Sequence, residues 1–175
     1  MANIYTTQVL KDDTQHVVIK WTAKFDGTGQ ESNTVRLQAN TLYGALATNG
    51  FPIANTQGGA ANTSLPYHGL SVYRVWYDCA SGGDVELFWN ATTPNTILFL
   101  NGNGEYDGAG NWITISNPTI GTPGSNGNIG ITTRGMAAND SYSIVVEMRK
   151  HNEYYQRGQF NDPAAFNYKP YGLTP

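Results

Sequence analysis

His16-Val-Val-Ile-Lys-Trp-Thr-Ala-Lys-Phe25 alternates without a break. Val17, Ile19, Trp21, Ala23 and Phe25 fall on one side of an extended chain. Val18, Lys20, Thr22 and Lys24 fall on the other. Strand side chains repeat with a period of two, so this run predicts a strand with one buried face. Asp26-Gly-Thr-Gly29 closes it as a turn.

The same signal recurs on either side. Thr34 to Ala39 keeps Val35, Leu37 and Ala39 in phase, and Leu70 to Tyr77 is rich in aromatic and β-branched residues. Asp84 to Trp89 sets Val85, Leu87 and Trp89 on one face. Because Gly82-Gly83 precedes it, Leu70–Trp89 reads as a hairpin. Thr96 to Leu100 is a short apolar strand, and Trp112 to Ile115 and Asn128 to Thr132 are weaker ones. Ser141 to Lys150 is strong again, with Tyr142, Ile144, Val146 and Met148 in phase. Only Asn40 to Thr48 has helical spacing, through Leu42, Ala45 and Leu46. Asn49 to Pro66, Asn101 to Gly110 and Asn117 to Gly127 read as Gly- and Asn-rich loops. Many short strands, no substantial helix and no internal repeat predict an all-β fold. Its form is a jelly-roll-like antiparallel β-sandwich over residues 1–149.

Residues 150–175 break the pattern. Tyr154, Tyr155, Phe160, Phe166, Tyr168 and Tyr171 share this stretch with Pro163, Pro170 and Pro175 and almost no aliphatic residues. Proline removes backbone donors that a helix or central strand needs. Rings so numerous are foreign to a solvated tail. The segment therefore reads as an extended C-terminal arm that buries its rings against its own domain or a neighbouring subunit. Tyr154, Tyr155, Arg157, Phe160, Phe166, Tyr168 and Tyr171 are its candidate partner-binding residues.

Composition narrows the function classes. Charged residues make up 13% of the 175, about half the usual share. The net charge is -3 with no basic run, which argues against binding nucleic acid through its phosphates. The single cysteine, Cys79, allows no intrachain disulfide and reads as a small buried hydrophobe. No signal peptide is expected, and no apolar run approaches the roughly 20 residues of a membrane helix.

No constellation for catalysis stands out. His16, His68 and His151 lie on different elements in no nucleophile or metal spacing. Asp84 and Glu86 share one strand face and could serve a glycosidase, but the plainer reading is a solvated face. Asn101, Asn103, Glu105 and Asp107 alternate as calcium ligands do. The expected downstream glutamate is missing, and a tight Asn-Gly loop explains them as well. Tyr67, Tyr73, Trp76, Tyr77 and Trp89 could form a sugar-stacking platform, though alternation sends several inward. No cofactor is implied.

Three stretches carry a family resemblance. They are Ala2-Asn-Ile-Tyr-Thr-Thr-Gln-Val-Leu-Lys-Asp-Asp13 with the later Phe25-Asp-Gly27, then Tyr142-Ser-Ile-Val-Val-Glu-Met-Arg-Lys150, then Tyr154-Tyr-Gln-Arg-Gly-Gln-Phe-Asn-Asp-Pro-Ala-Ala-Phe166. With them the chain resembles small virion structural proteins of tailed bacteriophages, particularly those infecting marine bacteria. The resemblance implies a non-enzymatic capsid decoration (cement) protein, made in the host cytoplasm and resident on the capsid surface. It would be a homo-oligomer that binds the major capsid protein or other virion proteins, and neither nucleic acid nor membrane. An arm of this length could span roughly 80 Å, enough to reach a neighbouring subunit. A neck, tail or fibre-attachment role fits the same features, and a carbohydrate-binding, lectin-like module is the reading from another class.

Overall fold

A computed structural model of the chain describes residues 2–43, 69–108, 114–118 and 124–150. The alternation of His16–Phe25 becomes strand β2 (His16–Lys24), with Val17, Ile19, Trp21 and Ala23 buried and Phe25 buried just beyond it. β2 lies between β1 (Ile4–Asp12) and β10 (Ser141–Lys150), antiparallel to both. β10 also pairs with β4 (Leu70–Cys79). The far edge of β4 carries β7 (Asn103–Asp107) along one stretch and β8 (Ile115–Ser116) along another.

A second antiparallel sheet runs in the order β3 (Thr34–Leu37), β9 (Ile129–Arg134), β5 (Asp84–Trp89), β6 (Asn95–Leu100). The two sheets share one core. Trp21, Val75, Ile144, Val146 and Met148 come from the first, and Val85, Leu87, Trp89, Ile129 and Ile131 from the second. Each such side chain taken fully from water stabilises the fold by about 1.5–3 kcal/mol. The all-β expectation is met: this is an antiparallel β-sandwich.

The connections correct part of the strand reading. β4 and β5 do not form a hairpin, because they belong to different sheets. Both edges of β4 are already paired, to β10 and to β7 and β8, and both edges of β5 are paired to β9 and β6. The turn at Ala80–Gly83 therefore carries the chain across the core instead of back along one sheet. A side chain at Gly83 would stand 2.7 Å from the Met136 sulfur and 2.9 Å from the Arg134 carbonyl oxygen, so the crossing needs a glycine there. Among the described strands, only β1–β2 and β5–β6 are hairpins within one sheet.

The expected loop from Asn101 also changes character. Gly102 takes a left-handed turn (φ 64), but Asn103–Asp107 is strand β7. The helical spacing at Asn40 yields a single 3-10 turn, Ala39–Thr41, which the extended backbone of Leu42 ends, and residues 44–48 lie outside the described residues. Of the weaker strands, Trp112 lies outside them too, whereas Ile115 enters β8 and the run from Asn128 becomes β9.

Two glycines sit beneath aromatic rings on directly paired positions. Tyr77 faces Gly104, and Phe88 faces Gly130. A Cβ at 104 would lie 2.4 Å from the Tyr77 hydroxyl, and one at 130 would lie 2.2 Å from the Phe88 ring. Phe88 points away from the core, yet it is only 1% exposed. Each ring covers the bare backbone that a strand glycine would otherwise leave open. We expect Gly130→Ala to cost about 1–3 kcal/mol, because the ring must leave a packed position. Urea unfolding would measure it, and an unchanged midpoint would mean the ring moves aside freely.

A polar tie joins the sheets at one end. Glu31, only 3% exposed, precedes β3. Its carboxylate accepts from Arg36 Nε at 2.7 Å and from the Tyr142 hydroxyl at 2.6 Å. Its backbone N–H donates to Thr133 Oγ1 at 2.8 Å, and its carbonyl accepts from the Thr133 N–H. Arg36 stacks 4.4 Å over the Tyr5 ring, and Tyr5 meets Phe25 edge-on. Burial, with Glu31 beside it, pushes the Tyr142 phenol well above its ordinary pKa, so it stays a donor.

Candidate interaction surface

Two features of the sandwich could present a surface to a partner, and they meet at one end of the first sheet. The first is the point from which residues 151–175 depart. Lys150 continues the inward phase of Tyr142, Ile144, Val146 and Met148, so its side chain turns under the sheet. Its ammonium binds the Asp12 carboxylate and donates to the carbonyls of Asp13 (2.6 Å) and Tyr43 (2.9 Å). Its backbone N–H donates to the Gln15 carbonyl at 2.7 Å. Asp12 in turn accepts from the Tyr43 N–H at 2.8 Å. The first hairpin, the end of the 3-10 turn and the last strand are thus knotted around one cation. The turn of that hairpin is capped by Asp13, whose Oδ1 accepts from the N–H groups of Gln15 and His16.

The second feature is β1 itself. Among the described residues no strand pairs with its outer edge. Thr7 and Val9 face the core side, opposite Trp21 and Ile19, yet both are exposed. Ile4 and Val9 are 61% and 58% exposed, and Leu10, the extra residue of a bulge, is 55% exposed. Tyr43 is exposed at the same end. Most of the exposed large apolar side chains among the described residues therefore gather along one strand and its tip.

The candidates read from the sequence scatter. Tyr154, Tyr155, Arg157, Phe160, Phe166, Tyr168 and Tyr171 lie outside the described residues, as do His68, His151 and Tyr67. Trp89 is core, and Tyr77 faces inward over Gly104. Tyr73 and Trp76 are half-buried on either side of Arg74, each about 6 Å from its guanidinium. Cys79 is buried as expected, and burial pushes its thiol up to about 12. Asp84 and Glu86 do share a face, but Arg134 binds both, at 3.3 and 2.6 Å. Burial alone would raise the Glu86 carboxyl; the Thr96 hydroxyl and the Arg134 guanidinium outweigh it and hold the pKa below its ordinary value.

Of the calcium set, Asn103, Glu105 and Asp107 point to one side of β7 because they alternate along it. Asp107 is bound by Arg74 at 2.8 Å, and Asn101 donates to the Gly83 carbonyl. Among the described residues no three His, Cys, Asp or Glu side chains gather as metal ligands would. No helix there is long and apolar enough to cross a membrane.

The chain matches no family model, no curated protein and no solved structure.

The Lys150 junction and the β1 edge escaped the sequence reading for different reasons. Lys150 was within reach, since the phase of β10 places it inward and a buried lysine demands a carboxylate such as Asp12. β1 gave no signal, because a strand exposed on both faces has no reason to alternate.

Proposed function

We propose that this chain is a non-enzymatic structural protein of a tailed-phage virion, most specifically a capsid decoration (cement) protein. It binds the shell of the major capsid protein and clamps neighbouring subunits through residues 151–175. The observation that carries the reading is the Lys150 junction. A strap can transmit holding force only if its root is fixed, and this root is the buried end of a strand paired on both sides. The strand order supports it. One sheet runs β1-β2-β10-β4-β7 and the other β3-β9-β5-β6, and the chain passes between them at most of its connections, as a jelly-roll arrangement would require. Jelly rolls recur in capsid and lectin domains, so the fold alone does not choose between them. The resemblance of residues 2–13, 142–150 and 154–166 to phage virion proteins tips the choice. The Arg134 clamp on Asp84 and Glu86 supports the non-enzymatic part, since a general acid needs a raised carboxyl pKa.

The test is quantitative mass spectrometry of purified particles, repeated with a Phe160→Ala/Phe166→Ala variant. A copy number comparable with that of the major capsid protein supports decoration. A few copies per particle would move the chain to the neck, tail or fibres, and absence would sink the virion reading. The double variant should leave the sandwich's melting temperature unchanged while lowering occupancy on the particle. A large fall in melting temperature would mean instead that those rings pack on their own domain.

The lectin-like reading keeps one specific support, the half-exposed Tyr73 and Trp76 flanking Arg74. Glycan binding that disappears in Trp76→Ala would favour it.

A further inference from the structure

Among the described residues β1 is a nine-residue edge strand with no strand on its outer side, and such an edge with exposed apolar side chains is a template for another strand. β1 shows none of the usual protections along Ile4–Val9: it has no proline and no charge there, and its bulge comes only at Leu10. Its pattern is also symmetric about Thr7. Reading outward in both directions, Thr6 mirrors Gln8, Tyr5 mirrors Val9 and Ile4 mirrors Leu10. Polar residues mirror polar ones and apolar residues mirror apolar ones. The single cation of the strand, Lys11, mirrors the neutral Asn3.

We infer that β1 is a homodimer interface, in which two copies pair their β1 strands antiparallel about a twofold axis through Thr7, joining the two first sheets into one. Antiparallel self-pairing is an isologous contact, the commonest kind in homo-oligomers. In this register Tyr5 of one copy faces Val9 of the other, Thr6 faces Gln8, and Thr7 faces Thr7. On the core side the Tyr5 ring already packs against Phe25 and Arg36, whereas Thr7 and Val9 beyond it are exposed, so the pairing covers Thr7 and Val9. Ile4 and Leu10 come together at each end, and no like charges are opposed. Two strands about 30 Å long laid edge to edge bury on the order of 1,000 Å² in total, the low end of specific interfaces. The expected dimer therefore dissociates on dilution. The inference is independent of the virion reading: a chain absent from particles would leave it untouched.

The test uses the full chain. Sedimentation over a range of concentrations should show the mass rising from 19.0 kDa toward twice that value. Val9→Lys/Leu10→Lys alters only exposed positions and should keep the chain folded and monomeric at every concentration. Register is read by cysteine cross-linking, for which the buried Cys79 gives little background. Paired Cα atoms stand about 4.5–5.5 Å apart, within disulfide reach, so Thr7→Cys should form a covalent dimer under mild oxidation. Ile4→Cys should not, because its two copies lie about 20 Å apart in this register. A monomer throughout, or equal cross-linking of the two variants, would overturn the inference. So would a monomer in which the β1 amides that point away from β2 are slow to exchange, which would mean that another segment of the same chain covers the edge.

Discussion

Replacing Arg36 with methionine is expected to lower the stability of the fold by about 3–5 kcal/mol, the usual consequence of stripping a buried charge of its partner. The Glu31 side chain is 2% exposed and that of Arg36 is 15% exposed, so water reaches neither well. Without the guanidinium, the carboxylate keeps the Tyr142 hydroxyl and loses its countercharge, and the Tyr5 ring loses the cation stacked on it. Removing the charge on both sides should undo most of the damage. In Arg36→Met/Glu31→Gln, a neutral amide oxygen still accepts from Tyr142 and no ion is stranded. Urea midpoints for the parent, both single variants and the double variant form a cycle that isolates the pair. A loss below about 1 kcal/mol for Arg36→Met would place this pair with ordinary surface ion pairs.

The second large effect is expected at the root of residues 151–175. Asp12→Ala removes the countercharge of Lys150 and the acceptor of the Tyr43 N–H together. The buried ammonium loses the carboxylate it binds, and a loss of about 2–4 kcal/mol should follow. Lys150→Met should be close to neutral. Burial pulls the Lys150 pKa below its ordinary 10.5 and outweighs the opposing pull of Asp12, so the folded state already bears a net cost for this charge. The sign of the pH dependence follows. Between the lowered folded value and 10.5, the unfolded chain holds the proton more tightly, so this residue makes stability rise with pH across that window. Lys150→Met should remove that slope. If it destabilises as much as Asp12→Ala, the ion pair is a net stabiliser and the desolvation argument fails.

What could be read from the sequence tracks how each strand is buried. β2 and β10 stand inside the first sheet with one face on the core, and their alternation marked them nearly to the residue. β5 was found for the same reason, but its partner was not. A turn such as Ala80–Gly83 looks alike whether it joins neighbours in one sheet or crosses between two. Which of these happens is decided by β9 and β10, some fifty residues or more further along the chain. β7 was hidden by its composition. Asn103-Gly-Glu-Tyr-Asp107 reads as a loop until Tyr77 is seen lying over Gly104 in place of the missing side chain. The Asp84–Glu86 pair was placed correctly on one strand face, but its countercharge, Arg134, arrives from β9 and no local spacing could announce it. The aromatic residues beyond Lys150 were conspicuous by composition alone. The inward turn of Lys150 was conspicuous only by phase.

The position of β10 has a mechanical consequence. It is an interior strand, paired with β2 from Ser141 to Arg149 and with β4 from Tyr142 to Lys150. A tensile load entering at Lys150 along the strand axis is therefore taken in shear by two hydrogen-bonded ladders at once. An edge strand under the same load would open like a zipper, one bond after another. The last described strand thus ends where pulling is resisted collectively.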